Sequence, residues 1–246
     1  LAKDALQLCK DAADYCRAVG GKVVTIWLGF DGFDYSFQIN FKRVWDQLVH
    51  AFQEVCDYAP DLQISIEYKP YEERSYAFID SMGVTGMMLN DINRDNIGVT
   101  LDYCHMLMKH ENPAFAADIF GSRNKLYGIH LNDGYGVHDD GLMIGTSTPF
   151  KTLEMLTYCQ CGARSKKAIV ILKKHGYKNA IYFDTFPVIE EAAAECERNI
   201  EMINYMNNLI DKVGLDYIQS IIDRNDAIAA SKLMLGFFKG GEKNEL

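Results

Sequence analysis

Five short runs of β-branched and aromatic residues, each finishing in groups that bind cations or move protons, constrain this 246-residue chain more than any other feature. They are VVTIWLG (23–29), QISIEYKP (63–70), IGVTLDYCH (97–105), LYGIHLND (126–133) and AIYFDTFP (180–187). Runs of this length and composition read as strands. Helix-like segments lie between and around them, at 4–19, 41–58, 74–90, 152–160 and 190–208. Strands alternating with helices build a parallel sheet from right-handed βαβ units, and such sheets collect their chemistry at the C-terminal ends of the strands. The polar residues here fall at those ends. In the second run Glu67 and Lys69 are two positions apart, so on a strand they point to the same face; an ordinary exposed ion pair would look the same in isolation.

The chain has 48% hydrophobic and 24% charged residues and no low-complexity tract, repeat or Pro-rich linker, which suits one domain with a sizeable core. No apolar run approaches the ~20 residues that cross a bilayer, and no charged-then-apolar leader opens it, so a cytoplasmic protein without a membrane partner is expected. The seven cysteines are scattered without zinc-type pairing, as expected of reduced thiols; Cys159 and Cys161 read as helix-end thiols. A net charge of −9 argues against nucleic acid as a partner.

Glu67, Asp102, His105, His130 and Asp184 form a set of hard ligands at strand ends. Carboxylate oxygen with imidazole suits Mn²⁺, Mg²⁺ or Co²⁺, and less exclusively Zn²⁺. The loop after His130, LNDGYGVHDDG (131–141), can supply more ligands through His138, Asp139 or Asp140, or can be a solvated turn. His105, three residues after Asp102, stands at a chelating separation; the alternative is a core or helix-start histidine.

The segments IEYKP, GVTLDYCH, HLND with its acidic loop, and YFDTFP resemble, in order and spacing, successive strand ends of the xylose isomerase-like TIM-barrel superfamily of sugar isomerases and epimerases. With Asp102 and His130 at the second and third of these strand ends, the pattern is similar to the L-rhamnose isomerase branch, as is GTSTPF (145–150) after the loop. The resemblance implies a (β/α)8 barrel of which this chain carries the C-terminal five βα units, over residues 1–208, followed by a helical extension over 209–246. It starts at the family's fourth strand, so the first three strands are expected to have been trimmed or to come from another segment.

Carried over by position, the resemblance implies a structural metal held by Glu67, Asp102, His130 and Asp184. A second, catalytic metal would share Asp102 and add His105, His138 and Asp140, with Asp139 as a substitute because the family usually has Asp where His138 stands. Lys69 would hydrogen-bond the reacting oxygen of the sugar, and Trp27 would wall the sugar or else belong to the core. Lys69, Asp140 and His105 are then the catalytic residues, and Trp27, Glu67, Lys69, His105 and Asp184 contact substrate. The implied activity is metal-dependent interconversion of an aldose and a ketose on a free monosaccharide, with one or two divalent ions, Mn²⁺ foremost, in a homo-oligomeric dimer or tetramer. Two other classes stay open: a sugar 3-epimerase, against which the shorter Asp184 counts, and a degenerate, non-catalytic barrel.

Overall fold

The computed structural model describes residues 2–72, 76–158 and 179–240. Cys159, Cys161 and the expected helix start at 74 lie outside them. Five strands, β1 (Val23–Trp27), β2 (Gln63–Glu67), β3 (Ile97–Asp102), β4 (Leu126–Leu131) and β5 (Ile181–Phe183), form one sheet in sequence order, with every neighbouring pair parallel. The sheet curls into a half-barrel of the TIM type. Its curvature is visible on the concave face, where Thr25 Oγ1 of β1 lies 3.2 Å from Thr100 Oγ1 of β3, and Ser65 Oγ of the intervening β2 lies 2.7 Å from the same atom.

Around the sheet lie α1 (Ala2–Ala18), α2 (Phe41–Tyr58), α3 (Met82–Ile92), α4 (Tyr103–Met108), α5 (Pro113–Ser122), α6 (Pro149–Tyr158), α7 (Ala192–Val213), α8 (Leu215–Asp223) and α9 (Ala227–Phe238). The main core sits between the outer face of the sheet and these helices. Ile64 and Ile66 of β2, Ile97, Val99 and Leu101 of β3, and Ile129 and Leu131 of β4 are buried against Phe52, Met88, Ile92, Ala117 and Phe120. Apolar residues at alternate strand positions thus turn outward to the helices, and the intervening positions turn inward to the site.

Several boundaries depart from the sequence expectation, each for a local reason. The third helix begins at Met82, because Ser81 is extended and its side chain caps the Val84 amide. The expected break at 208 falls inside α7, whose Leu209, Ile210 and Val213 are buried in the main core. Helix α5 has no counterpart among the expected segments, although it carries the signs of a start: Asn112 accepts from the Phe115 amide, and Pro113 occupies the first turn.

Gly128 of β4 lies close against Thr100 of β3. A Cβ there would lie 2.4 Å from Thr100 Oγ1, and the neighbouring register between β3 and β4 slips at Val99/Thr100. Gly128→Ala is therefore expected to lower unfolding free energy by about 1–3 kcal/mol through overpacking, and to cost less when Thr100 is first reduced to Ala. Chemical denaturation of the four proteins in this double-mutant cycle measures both effects.

Candidate metal centre

The C-terminal ends of β2, β3, β4 and β5 deliver Glu67, Asp102, His130 and Asp184, whose ligand atoms all lie within 4.8 Å of one another. His130 Nδ1 is 3.2 Å from Glu67 Oε1, 3.5 Å from Asp184 Oδ2 and 3.9 Å from Asp102 Oδ2. A second group within the same limit consists of Asp102, His105 and Asp139. Asp102 belongs to both. It is 1% exposed and also begins α4, its Oδ1 accepting from the His105 amide at 3.0 Å.

His105 is aimed from behind. Its Nδ1 lies 3.0 Å from the Tyr68 carbonyl oxygen, which can only accept, so Nδ1 donates there and Nε2 is the ring atom left to meet a cation. Nε2 faces Asp139 Oδ2 at 3.2 Å; burial opposes a charge on the ring, yet Asp102 and Asp139 raise its pKa. The other oxygen of Asp139, Oδ1, is buried and has no hydrogen-bond partner among the described residues. An imidazole nitrogen and an unpartnered buried carboxylate oxygen beside a buried carboxylate fit a divalent cation, as does the all-oxygen-and-nitrogen donor set of the first group.

Without a cation, these crowded groups shift one another's proton affinity in both directions. Burial and the nearby Glu67 raise the Asp102 carboxyl to about 6, against the pull of His105. For His130 burial opposes the charge, yet Asp184 and Glu67 outweigh it and raise the imidazole to about 10. Burial also works against Asp139, but His105 and Lys69 outweigh it and bring the carboxyl down to about 2.

Lys69 reaches the same space. Burial disfavours its charge, but Glu72 and Asp139 raise its pKa, with Nζ 2.6 Å from Glu72 Oε1 and 3.0 Å from Asp139 Oδ2. It stands 5.3 Å from the ring centre of Trp27, which is half exposed and lines the cavity rather than the core. These groups, with Tyr71, Met108, His138 and Phe186, line a cavity of about 610 Å³, within the range of small-molecule sites.

The loop residues part company. Asp139 enters the second group, while His138 is exposed at the cavity wall and belongs to neither group. Asp140, which the family spacing makes a ligand and a catalytic residue, instead accepts from the Tyr135 amide at 2.7 Å and holds the loop's own turn. Counting positions through His138-Asp139-Asp140 cannot reveal which carboxylate the turn consumes.

Asn132 was not singled out by sequence reasoning, and it is wholly buried at the centre of the site. Its Oδ1 accepts from the Cys104 amide, which fixes the orientation of the side chain. Its Nδ2 then donates toward Asp102 Oδ1 and Oδ2 and the Asp184 carbonyl, at 3.3, 3.1 and 3.0 Å. Next to it, buried Asp133 accepts from the Gly134, Ser147 and Thr148 amides and the Thr148 hydroxyl, tying the loop to the start of α6.

The sequence model of the family described as xylose isomerase-like TIM barrel matches residues 1–205. The chain belongs to that family. It is 24% identical over 134 residues to the xylose isomerase of Thermus thermophilus, a match covering 52% of this chain and 35% of that enzyme, so the aligned part is about a third of the relative's length. Among solved structures, a D-tagatose 3-epimerase-like protein superposes with a TM-score of 0.69 at 18% identity, covering 85% of this chain and 71% of that one. An IOLI protein with a bound zinc atom gives 0.55 at 17% identity, over 83% of this chain and 67% of that one. At these identities the superpositions show the fold. Members of this superfamily include sugar isomerases and epimerases, and the acidic and histidine cluster of this chain has the make-up of a divalent-metal site.

Asn132→Leu is expected to leave Asp102 without its two amide contacts and the Cys104 amide without its acceptor. Divalent-metal affinity should fall about 10- to 100-fold, measured by calorimetric titration with Mn²⁺, whereas Asp140→Asn should change that affinity far less.

Proposed function

We propose that this protein is a metal-dependent aldose–ketose isomerase acting on a free monosaccharide. The observation that carries the reading is the second group, Asp102, His105 and Asp139, joined to the first through a shared carboxylate and flanked by the Lys69 ammonium. A single four-ligand site would suffice to hold one cation; the second group supports a paired site, with Mn²⁺ as the first candidate and Mg²⁺, Co²⁺ or Zn²⁺ as alternatives. When bound, divalent cations supply Lewis acidity that stabilises negative charge on neighbouring sugar oxygens.

The chain's own residues then have distinct tasks. Glu67, Asp102, His130 and Asp184 form the first ligand set, and Asp102, His105 and Asp139 the second. Lys69, with donors only, does not ligate; it donates a hydrogen bond to O1 of the open-chain sugar, where charge gathers as hydrogen passes between C2 and C1. Trp27 presents an apolar wall to the C–H face of the sugar, and Phe186 lines the cavity with it. Asp139 takes the place that the family spacing gives to Asp140, because it is the carboxylate of the two that lines the cavity.

A second reading, sugar 3-epimerisation, is supported by the epimerase-like structure among the solved relatives. It would use Glu67 and Asp184 as the acid and base on opposite faces of the sugar. Incubation of aldoses and ketoses with the Mn²⁺-loaded protein in D₂O, followed by NMR, separates the two. Aldose–ketose conversion supports the first reading; a C3 epimer carrying deuterium at C3 would replace it with the second. Lys69→Met should lower isomerisation by 10²-fold or more, roughly the loss of one transition-state donor, with metal content unchanged by elemental analysis. Loss of metal in that variant would recast Lys69 as a structural partner of the carboxylates.

The reading includes a homo-oligomer assembled through the C-terminal helices, supported by the apolar residues that α8 and α9 leave exposed, among them Ile222, Leu235 and Phe238. Deleting residues 215–246, which spares the buried end of α7, should lower the assembly state seen by light scattering and keep Mn²⁺ binding. An unchanged assembly with lost metal would place these helices in service of the site instead.

A further inference from the structure

Tyr68 and Glu111 are buried or half-buried titratable groups to which the reading above gives no task. Tyr68 lies between Glu67 and Lys69 in sequence, and its side chain points away from both, into the helix layer, with 2% of its surface exposed. Its hydroxyl donates to Glu111 Oε2 at 2.6 Å, while the other carboxylate oxygen, Oε1, accepts from the Met82 amide at 2.9 Å. Glu111 follows α4, the six-residue helix that carries His105, and its own amide donates to the Met106 carbonyl. Tyr68 is thus tied to the α4 segment twice, by its carbonyl to His105 Nδ1 and by its hydroxyl to Glu111.

Two bonds from one residue to one short segment restrict both translation and rotation between them, which a single bond does not. The peptide so fixed lies between Glu67 and Lys69, and the carbonyl it presents accepts from His105 Nδ1 and so orients the ring. Glu111 in turn holds the first residue of α3, so the pair joins the exit of β2, the start of α3 and the end of α4. A short helix has few backbone bonds of its own to resist tilting, so the orientation of His105 depends on such outside ties.

We propose that Tyr68 and Glu111 are positioning residues for the second ligand group: the hydroxyl–carboxylate bond holds the Tyr68 carbonyl where it keeps His105 Nε2 aimed at Asp139. This rests on the reading that Asp102, His105 and Asp139 hold a second cation. Neither residue lines the cavity or belongs to either ligand group. Partners of this kind behind a metal-ligating histidine are worth about 10- to 100-fold in metal affinity. The first group should be affected far less, since Glu67 is held by its own pairing with Trp27 and Thr100 in the sheet, and Asp102, His130 and Asp184 stand at the ends of the other strands.

The test is Mn²⁺ titration of the protein and of its Tyr68→Phe and Glu111→Gln variants, counting free Mn²⁺ by its electron paramagnetic resonance signal, together with ¹⁵N chemical shifts of the His105 ring in the metal-free protein. The expected result is two classes of site in the parent protein. In both variants the second class should weaken at least tenfold and the first stay within twofold, while the His105 Nδ1 resonance moves away from its hydrogen-bonded position. Two classes bound with unchanged affinity in both variants would overturn the proposal, and so would equal weakening of both classes, which would mark a general loss of stability. One class of site in the parent protein would instead overturn the two-cation reading and this inference with it.

Discussion

Asp102 is the group on which the site depends. Burying a carboxylate among other carboxylates is costly unless hydrogen bonds and opposite charge compensate it, and against the like charges of Glu67 and Asp139 several neighbours of Asp102 supply one or the other. The α4 amide of His105 and the side chain of Asn132 donate to it, and the His130 ring stands within charge range. The same residue starts the helix that brings His105 forward, so the local fold and the shared position between the two ligand groups come from one side chain. Moving it would dismantle both groups together with the entry of α4.

The strand ends were readable because the chemistry there is strict in residue type. A carboxylate and an ammonium at i and i+2, an Asp followed by His three later, and a His at the end of an apolar run each force a side of the sheet, and the curled parallel sheet collects them. Helix α2 was legible for a similar reason, since its apolar face and its Asn40 cap act locally. What escaped the sequence depends on tertiary partners. The start of α3 is set jointly by Ser81 and by Glu111, 29 residues away, and the short helices α4 and α5 bury most of their residues, which removes the periodic contrast that marks an exposed helix. In the loop, the competition between Asp139 and Asp140 is decided by a backbone amide of Tyr135, and no spacing rule encodes that. Asn132 escaped for another reason: an amide looks like a turn residue until its acceptor and donors are both in view.

The concave interior beneath the site is built for closeness rather than bulk. Thr25, Ser65, Thr100 and Gly128 leave little side-chain volume on that face, and their hydroxyls bond one another in place of packed methyl groups. The curvature this allows sets the spacing of the four strand ends above it. Geometry at the candidate metal centre therefore depends on small residues a layer below, which belong to neither ligand group.

Asp133 closes the acidic loop by pairing with Leu142 and clasping the start of α6, so residues 134–141 leave and rejoin the framework at two neighbouring points. A segment pinned in this way behaves as an exchangeable cassette. Its length and the identity of residues such as His138 and Val137 can vary while His130, on the far side of the clasp, keeps its place in the sheet. The loop can thus vary around the four strand-end residues Glu67, Asp102, His130 and Asp184, provided that the Asp139 carboxylate is kept.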